Sequence, residues 1–537
     1  MLIKDNRPYA YKNNRYRSQL KILLEECPTL DVSGLDYTDK SLIKLLTAYH
    51  SYCKIDYGIL FKNKSKIKVN IGIEGEVIFI RKMHLTIPSM HRFVFCFVSY
   101  YFDAMKISYL SRRIILTISL FVHSVILFGL QPSVVITLKP GGMVLMTDSI
   151  QKAIDKCALL GGGTVLFPEG VYLSGGLELK SYVTLQLEKG ALLQGSDQYA
   201  DYKNDAFIFG KDLTNITIRG QGIIDGVDCY NPNGEEGFRG PHCIRLINCK
   251  KLNIQGITIK NSANWALNFR YCDEAIIENV SIRAGHDGLH TRFCSNFKVS
   301  GCDFRTGDDA FAGNDNRDFV ITDCKINTSC NGFRFGCKNF KLERCKFWGP
   351  GEYIHKIQKR SNMLSAFVHF SPKDENSKIK SGNWQISDVT IENVDHVYVY
   401  NFESGLWQTG QPVTSIQFER IKATGVLSAF NITGDSGQQF NLSVRNSSFS
   451  FREGSIYDAK TFEGAKIASP AFFYAYNFNQ ITLLDVTLEK KNAMPILYFN
   501  TGNKLILEQD NLITGNNSIP YAFDHVKNVK KDKLKLK

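Results

Sequence analysis

The stretch from 248 to 349 reads as one phrase spoken five times: NCKKLNIQGITIKNSANWALNF (248–269), YCDEAIIENVSIRAGHDGLHTR (271–292), FCSNFKVSGCDFRTGDDAFAGN (293–314), DNRDFVITDCKINTSCNGFRFG (315–336) and CKNFKLERCKFWG (337–349). A period this short means stacked units, each too small to bury its own apolar face, so a core forms only between neighbours. Within each copy, short alternating runs such as Phe319-Val-Ile-Thr and Phe340-Lys-Leu-Glu are broken by Gly, Asn and Asp. About 22 residues hold roughly three short strands and their turns. The pattern predicts an all-β solenoid, a parallel β-helix. A leucine-rich repeat has a similar period but needs leucines at fixed offsets and a helical stretch in each unit, and these copies have neither.

The cysteines follow the same phase. Cys249, Cys272, Cys294 and Cys337 occupy one position of the copy, with Asn316 where the column skips, and Cys302, Cys324 and Cys345 occupy another. Such columns suit an interior site for a small apolar side chain. Residues on adjacent coils lie about 4.8 Å apart in the backbone, so pairing as disulfides is also within reach. No C-x-x-C pair accompanies the columns, which argues against zinc.

With 537 residues and 44% hydrophobic content, the chain can bury a long core. Its net charge of +13 sits at the ends: residues 1–113 carry 19 Lys/Arg against 10 Asp/Glu, and residues 527–537 carry six Lys against one Asp, which leaves the body near −1. A neutral body without a basic stripe argues against nucleic acid as a partner. Met105-Lys-Ile-Ser-Tyr-Leu-Ser-Arg-Arg followed by the apolar run 114–130 and the polar exit Gln131-Pro-Ser has the order of a secretory signal, placed a hundred residues inside the chain. The expectation is that Met105 is the true start, that 1–104 is an upstream piece from a mispredicted start or a fusion, and that the mature protein begins near residue 131 and is secreted or periplasmic. The rival reading is a membrane span, for which 17 residues is at the short limit.

Downstream, Asp148-Ser-Ile-Gln151 reads as an N-cap and capping box opening a helix with apolar residues at Ile150, Ala153, Ile154, Cys157 and Ala158. A helix there would cover the open first coil, whose unpaired strand edges otherwise invite aggregation. Strand-and-turn copies follow from residue 163 and span 131–526 in all, interrupted by 349–382, which reads as a long polar loop. The lysine-rich segment 527–537 reads as a frayed tail.

Successive strand residues point to opposite faces, so Asp308 and Asp309 act together only at a turn or bulge, which Gly307 provides. With Asp287 exactly one period before Asp309, three carboxylates meet on one surface. Crowded carboxylates do not all ionise cheaply, so at least one pKa rises, giving acid and base side by side. That chemistry suits hydrolysis of a glycosidic bond. Asp and Asn also favour turns for purely local reasons, so a lone Gly-Asp-Asp would carry little weight.

Taken together, SIQKAIDKCALLGGGTVLFPEGVYLSGGLELKSYVTLQLEKGALLQGS (149–196), GQGIIDG (220–226), RLINCKKLNIQGITIKNSANWAL (245–267), HDG (286–288) and TGDDA (306–310) resemble glycoside hydrolase family 28, the polygalacturonase-like pectin hydrolases, over roughly 135–490. The resemblance implies a right-handed parallel β-helix of the pectin-lyase-like kind. It also implies an inverting, cofactor-free and metal-independent hydrolysis of pectin-like poly- or oligosaccharides by a monomer, with Asp308 as general acid and Asp287 with Asp309 activating water. Inversion generally places acid and base about 6.5–9.5 Å apart. The chain also departs from the family pattern. Gly285-His286-Asp287 stands where the family has Asn-Thr-Asp, His290 stands at its next acidic position, and Asn331 replaces the histidine of Gly-His-Gly. No Arg-Ile-Lys triplet follows to hold a uronate carboxylate, which leaves Arg334, Lys356, Lys359 and Arg360 as cations to take its place. His286, His290, Asn331, Arg334 and Lys356 are therefore the expected substrate-binding residues, and Trp265, Trp348 and Trp407 are candidates to stack on sugar faces. Two alternatives share the scaffold. One is a lyase with Asp308, Asp309, Asp315 and Asp318 around Ca²⁺; the other is a carbohydrate-binding β-helix without turnover.

Overall fold

A computed structural model describes residues 134–537 except 373–376, 378, 403–406, 408, 453–468, 491–494, 515–519, 533–534 and 537, together with the backbone of four short upstream strands, Ile3–Lys4, Arg7–Pro8, Asn70–Glu74 and Val77–Lys82. The chain divides into two compact units, Met1–Leu130 and Gln131–Lys537. The signal-like segment 105–130 lies outside the described residues. No described helix is long and apolar enough to cross a membrane.

The second unit is the expected right-handed parallel β-helix, whose sense of winding is the one parallel crossovers almost always take. A typical coil contributes strands Lys250–Gln255, Thr258–Lys260 and Leu267–Arg270, which pair in parallel with Asp273–Glu278, Ser281–Ala284 and Leu289–Arg292 of the next coil. The register carries one apolar residue straight through the stack: Leu252, Ala275, Phe297, Phe319, Phe340 and Trp384 are successive partners, and all are buried. Aromatic rings stack between coils, Phe297 on Phe319 at 4.7 Å and Phe311 on Phe333 at 4.3 Å between centroids. Burial of each such ring stabilises the fold by about 1.5–3 kcal/mol. One residue per coil turns the chain through the left-handed region: Lys251, Glu274, Asn296, Asp318, Asn339 and Asn383 all have φ between +54° and +59°. Asn and Asp tolerate that conformation best, which accounts for their recurrence at this phase.

Both cysteine columns are interior, and all eleven cysteines among the described residues are buried free thiols. Asn316 fills the gap in the first column by accepting the Cys294 N–H at 3.1 Å and donating to the Thr291 carbonyl at 3.2 Å. Helix α1 (Thr147–Leu159) covers the first coils with Ile150, Ala153, Ile154 and Cys157. It starts two residues earlier than the sequence suggested, and Asp148 is not its cap: Met146 holds that position without a side-chain bond. Gln151 instead accepts the Glu178 N–H at 2.8 Å and donates to its carbonyl at 3.0 Å, tying the helix to the first coils.

Two further expectations are corrected. The segment 349–382 is not loop throughout, because Met363–His369 is a buried strand paired with neighbours on both sides. A strand covered on both faces shows no polar alternation, so its sequence hides it. The tail is not frayed along its length, because Tyr521–Asp532 pairs in register with Leu497–Glu508, with its lysines exposed on this last coil.

At Gly313 φ is +125°, and an added Cβ would lie 1.7 Å from the Thr291 carbonyl oxygen. Gly313→Ala is expected to lower stability by at least about 1–3 kcal/mol in chemical denaturation, and an unchanged midpoint would contradict this register.

Candidate active site

Five strands of one sheet carry the site: β1 (His242–Ile247), β2 (Leu267–Arg270), β3 (Leu289–Arg292), β4 (Phe311–Thr322) and β5 (Asn331–Glu343). Leu267, Leu289, Phe311 and Phe333 are successive partners, so two residues upstream Trp265, Asp287, Asp309 and Asn331 occupy equivalent positions on four coils. Backbone bonds of 2.9 Å lock this alignment, from Ala266 N–H to Asp287 O, Gly288 N–H to Asp309 O and Ala310 N–H to Asn331 O. Asp308 stands at the turn before β4, its own carbonyl accepting the hydroxyls of Thr306 and Thr328. One oxygen from each of Asp287, Asp308 and Asp309 lies within 4.8 Å of the other two.

Each carboxylate has its own surroundings. Asp287 Oδ2 lies 2.9 Å from His290 Nδ1. Asp309 accepts Arg334 Nε at 2.5 Å and Asn331 Nδ2 at 2.7 Å. Asp308 is the most open of the three, with 20% of its side chain exposed against 3% and 1% for Asp287 and Asp309. It lies 3.9 Å from Arg239 and 3.6 Å from His355. Burial, reinforced by the Asp308 charge, pushes Asp287 up to about 8. Burial likewise pushes Asp309 up to about 6, against the pull of Arg334. Burial also opposes ionisation of Asp308, but His355, Arg334 and Arg239 outweigh it and hold this group well below the usual carboxylate range. Below about pH 6 the site therefore keeps its protons on the two buried carboxyls and its negative charge on the accessible one, with the three titrating as a unit.

The structure brings most of the expected residues to this place, in roles of its own. His286 is buried and stacked on Phe238 at 5.8 Å, and burial, with Arg239, lowers its pKa to about 2. His290 is held neutral chiefly by burial and stacks face to face on Trp265 at 3.6 Å, so that face of the Trp265 ring is already covered. Arg334 and Asn331 serve Asp309 rather than an open pocket. Lys356 ion-pairs with Asp228, joining the loop 349–361 to the loop 226–241. Arg360 braces the same loop through the carbonyls of Ser329 and Asn362, and Lys359 is exposed, its backbone N–H donating to the His355 carbonyl at 2.9 Å. Trp407 packs against Cys330 and Leu364, whereas Trp348 is taken up by Arg305 at 4.5 Å.

Two groupings have metal-ligand spacing, the carboxylate trio and Asp308 with Cys330 and His355. Guanidiniums already serve both: Arg334 is paired with Asp309, and Arg360 lies 3.6 Å from Cys330 Sγ. Asp315 and Asp318 join neither grouping among the described residues; they accept from Asn314 and Ser377 and from Asn339 respectively.

Sequence reading missed Arg239 and His355. Arg239 is buried and bonded to Glu236 and, at 3.4 Å, to Asn264. His355 Nδ1 accepts the N–H groups of Ile357 at 3.3 Å and Gln358 at 3.1 Å, which turns Nε2 toward Asp308. It thus occupies space beside the acid although the family histidine position holds Asn331. Both residues lie in irregular loops, where no period marks them.

Because the folded protein holds protons on Asp287 and Asp309 that an unfolded chain releases near pH 4, stability falls as pH rises from about 4 to about 8. The melting temperature should drop by roughly 5 °C between pH 5 and pH 8, and Asp287→Asn should flatten that slope. Equal slopes in variant and wild type would contradict the assignment.

Comparison with known proteins agrees with this geometry. The model of the family described as Glycosyl hydrolases family 28 matches residues 157–336, which include all three carboxylates. The chain is 38% identical over 147 residues to an exo-poly-alpha-D-galacturonosidase of Dickeya chrysanthemi, covering 23% of this chain and 24% of that protein. It is 30% identical over 164 residues to an exopolygalacturonase of Zea mays, covering 27% and 38%. The chain thus spans between about a quarter and two fifths of the length of these curated relatives. Among solved structures, the polygalacturonase of Erwinia carotovora ssp. carotovora superposes with a TM-score of 0.48 at 18% identity, covering 60% of this chain and 95% of that one. The segment 157–336, with its carboxylate trio, belongs to glycosyl hydrolases family 28.

Proposed function

We propose that this protein hydrolyses glycosidic bonds in pectin-like polysaccharides or their oligosaccharides. The observation that carries the reading is the trio itself: three carboxylates brought within 4.8 Å by coil register, two of them buried and proton-holding, one reachable from outside. Similarity to galacturonan-cleaving relatives supports the substrate class.

In the proposed reaction Asp308 is the group that meets the glycosidic oxygen, because it alone of the three is open to the surface. A bound sugar strips water from Asp308, raising its affinity for the proton that the adjacent Asp309 carries. Asp308 then protonates the leaving oxygen as the bond to the anomeric carbon breaks. Water supplies the new oxygen, and its proton passes to Asp309, which became a carboxylate when its own proton moved to Asp308. The net change is addition of one water across one bond. Asp287 and Asp309 are tied to His290, Asn331 and Arg334 and are almost fully covered, which suits holding a water better than attacking carbon directly, so the anomeric configuration inverts. The oxygen separations here are shorter than the usual inverting spacing of about 6.5–9.5 Å between carboxyls.

Reducing-end release from pectic fragments tests this. Asp308→Asn is expected to lower kcat by about 10²–10⁴-fold, and His355→Asn by a smaller factor with a displaced pH optimum, since His355 acts on Asp308 and not on substrate. Wild-type release that survives Asp308→Asn would overturn the mechanism, and tight binding of fragments without any release would point to a binding protein. Export is proposed on the charged lead, apolar run and polar exit of 105–130. N-terminal sequencing of exported protein should find a start near residue 131, and a mature chain that retains 1–104 would contradict it.

A further inference from the structure

At the downstream end of the active-site sheet, one turn position recurs from coil to coil. Asp212, Asn248, Tyr271, Phe293 and Asp315 occupy it, all with φ between +53° and +58°. Backbone bonds hold these rungs in line, from Asp212 N–H to Ile247 O at 2.9 Å, Asn248 N–H to Arg270 O at 2.8 Å and Tyr271 N–H to Arg292 O at 2.9 Å. Three of the five are residues that tolerate the left-handed region, and their side chains are used locally. Asn248 donates to Asp212 at 2.6 Å, and Asp315 accepts from Ser377 at 2.9 Å.

The two rungs between them are aromatic. A ring on a left-handed residue is an outlier, because a bulky side chain crowds its own backbone there. Tyr271 and Phe293 stack face to face, with centroids 4.9 Å and planes 4° apart, and Arg292 lies over the Phe293 ring at 5.0 Å. Phe293 is half-buried, whereas Tyr271 is 52% exposed and its hydroxyl makes no hydrogen bond among the described residues. A stacked pair of partly exposed rings returns no more than two such backbones cost. Strain kept where an asparagine would relieve it, as at 248, points to a side chain held for function.

We infer that the exposed ring of Tyr271, backed by Phe293, is a platform on which a sugar unit of a polymeric substrate stacks, outside the cluster of catalytic carboxylates. A flat aromatic face suits the C–H face of a pyranose, and the phenol hydroxyl beside it suits a sugar hydroxyl. The ring is already fixed by its stack and its turn, so little freedom is lost on binding. Six residues of extended chain separate Asp287 from Phe293, about 20 Å. A trisaccharide seated at Asp308 does not bridge that distance, and a polysaccharide does. The platform therefore holds long chains on the protein and is silent toward short ones. This inference rests on the glycosidase reading for its substrate class, but its test separates the two.

Polygalacturonate and trigalacturonate are compared as substrates of the full chain, and retardation in native gels containing polygalacturonate reads binding without turnover. Tyr271→Asn is tolerated by the left-handed backbone, so its melting temperature should match or exceed that of wild type. The variant is expected to raise KM on the polymer by about tenfold, to leave kcat on the polymer and both constants on trigalacturonate within about twofold, and to reduce gel retardation. Tyr271→Trp should behave as wild type. A polymer KM unchanged in Tyr271→Asn, or a loss shared equally by trigalacturonate, overturns the platform and leaves the glycosidase standing. A lowered melting temperature with unchanged retardation gives the ring pair a purely structural role and overturns it as well. Retardation that Tyr271→Asn reduces, in a protein that releases nothing from either substrate, upholds the platform and removes the hydrolase.

Discussion

Parallel pairing of one coil on the next, without slippage, is the constraint from which the rest of this protein follows. Once Leu267, Leu289, Phe311 and Phe333 are partners, every residue is repeated about 4.8 Å above its equivalent. For apolar side chains the repetition is favourable and produces the stacked phenylalanines and the thiol columns. For carboxylates it is unfavourable, because Asp287 and Asp309 stand on neighbouring rungs and Asp308 stands beside them. The protein keeps this arrangement by setting cations and imidazoles around it and by leaving part of it protonated. Crowding that would count as a defect in a structural repeat becomes a means of holding acid and base together.

The partners come from two kinds of structure. His290, Asn331 and Arg334 belong to the sheet and are positioned by the same register as the acids. Arg239 and His355 come from the loops 226–241 and 349–361, which also meet through Asp228 and Lys356. The regular coils thus fix the spacing of the carboxylates, and the irregular loops decide which of them is ionised. Asp308, touched by both loops, is the one held low.

Much of this was legible in the sequence, because periodicity reports directly on register. The 22-residue phase placed Asp287 opposite Asp309, put Asn316 into the cysteine column and set Asn331 next in line, and each stands there. What the sequence concealed lies where the period is broken or masked. Met363–His369 is covered on both faces and shows no alternation, and the terminal lysines, exposed though they are, belong to a paired strand. His355 and Arg239 approach Asp308 from loops whose path no pattern of residues predicts.

The central claim is that coil register forces the carboxylates to retain a proton at a pH where isolated aspartates have lost theirs. Infrared difference spectra of the protonated carboxyl C=O stretch, recorded across a pH titration of wild type and of Asp287→Asn, measure this directly. A protonated-carboxyl signal persisting above about pH 6 in wild type and diminished in the variant is the predicted result. Complete ionisation of every carboxyl below pH 5, with no difference between the two proteins, would contradict the account.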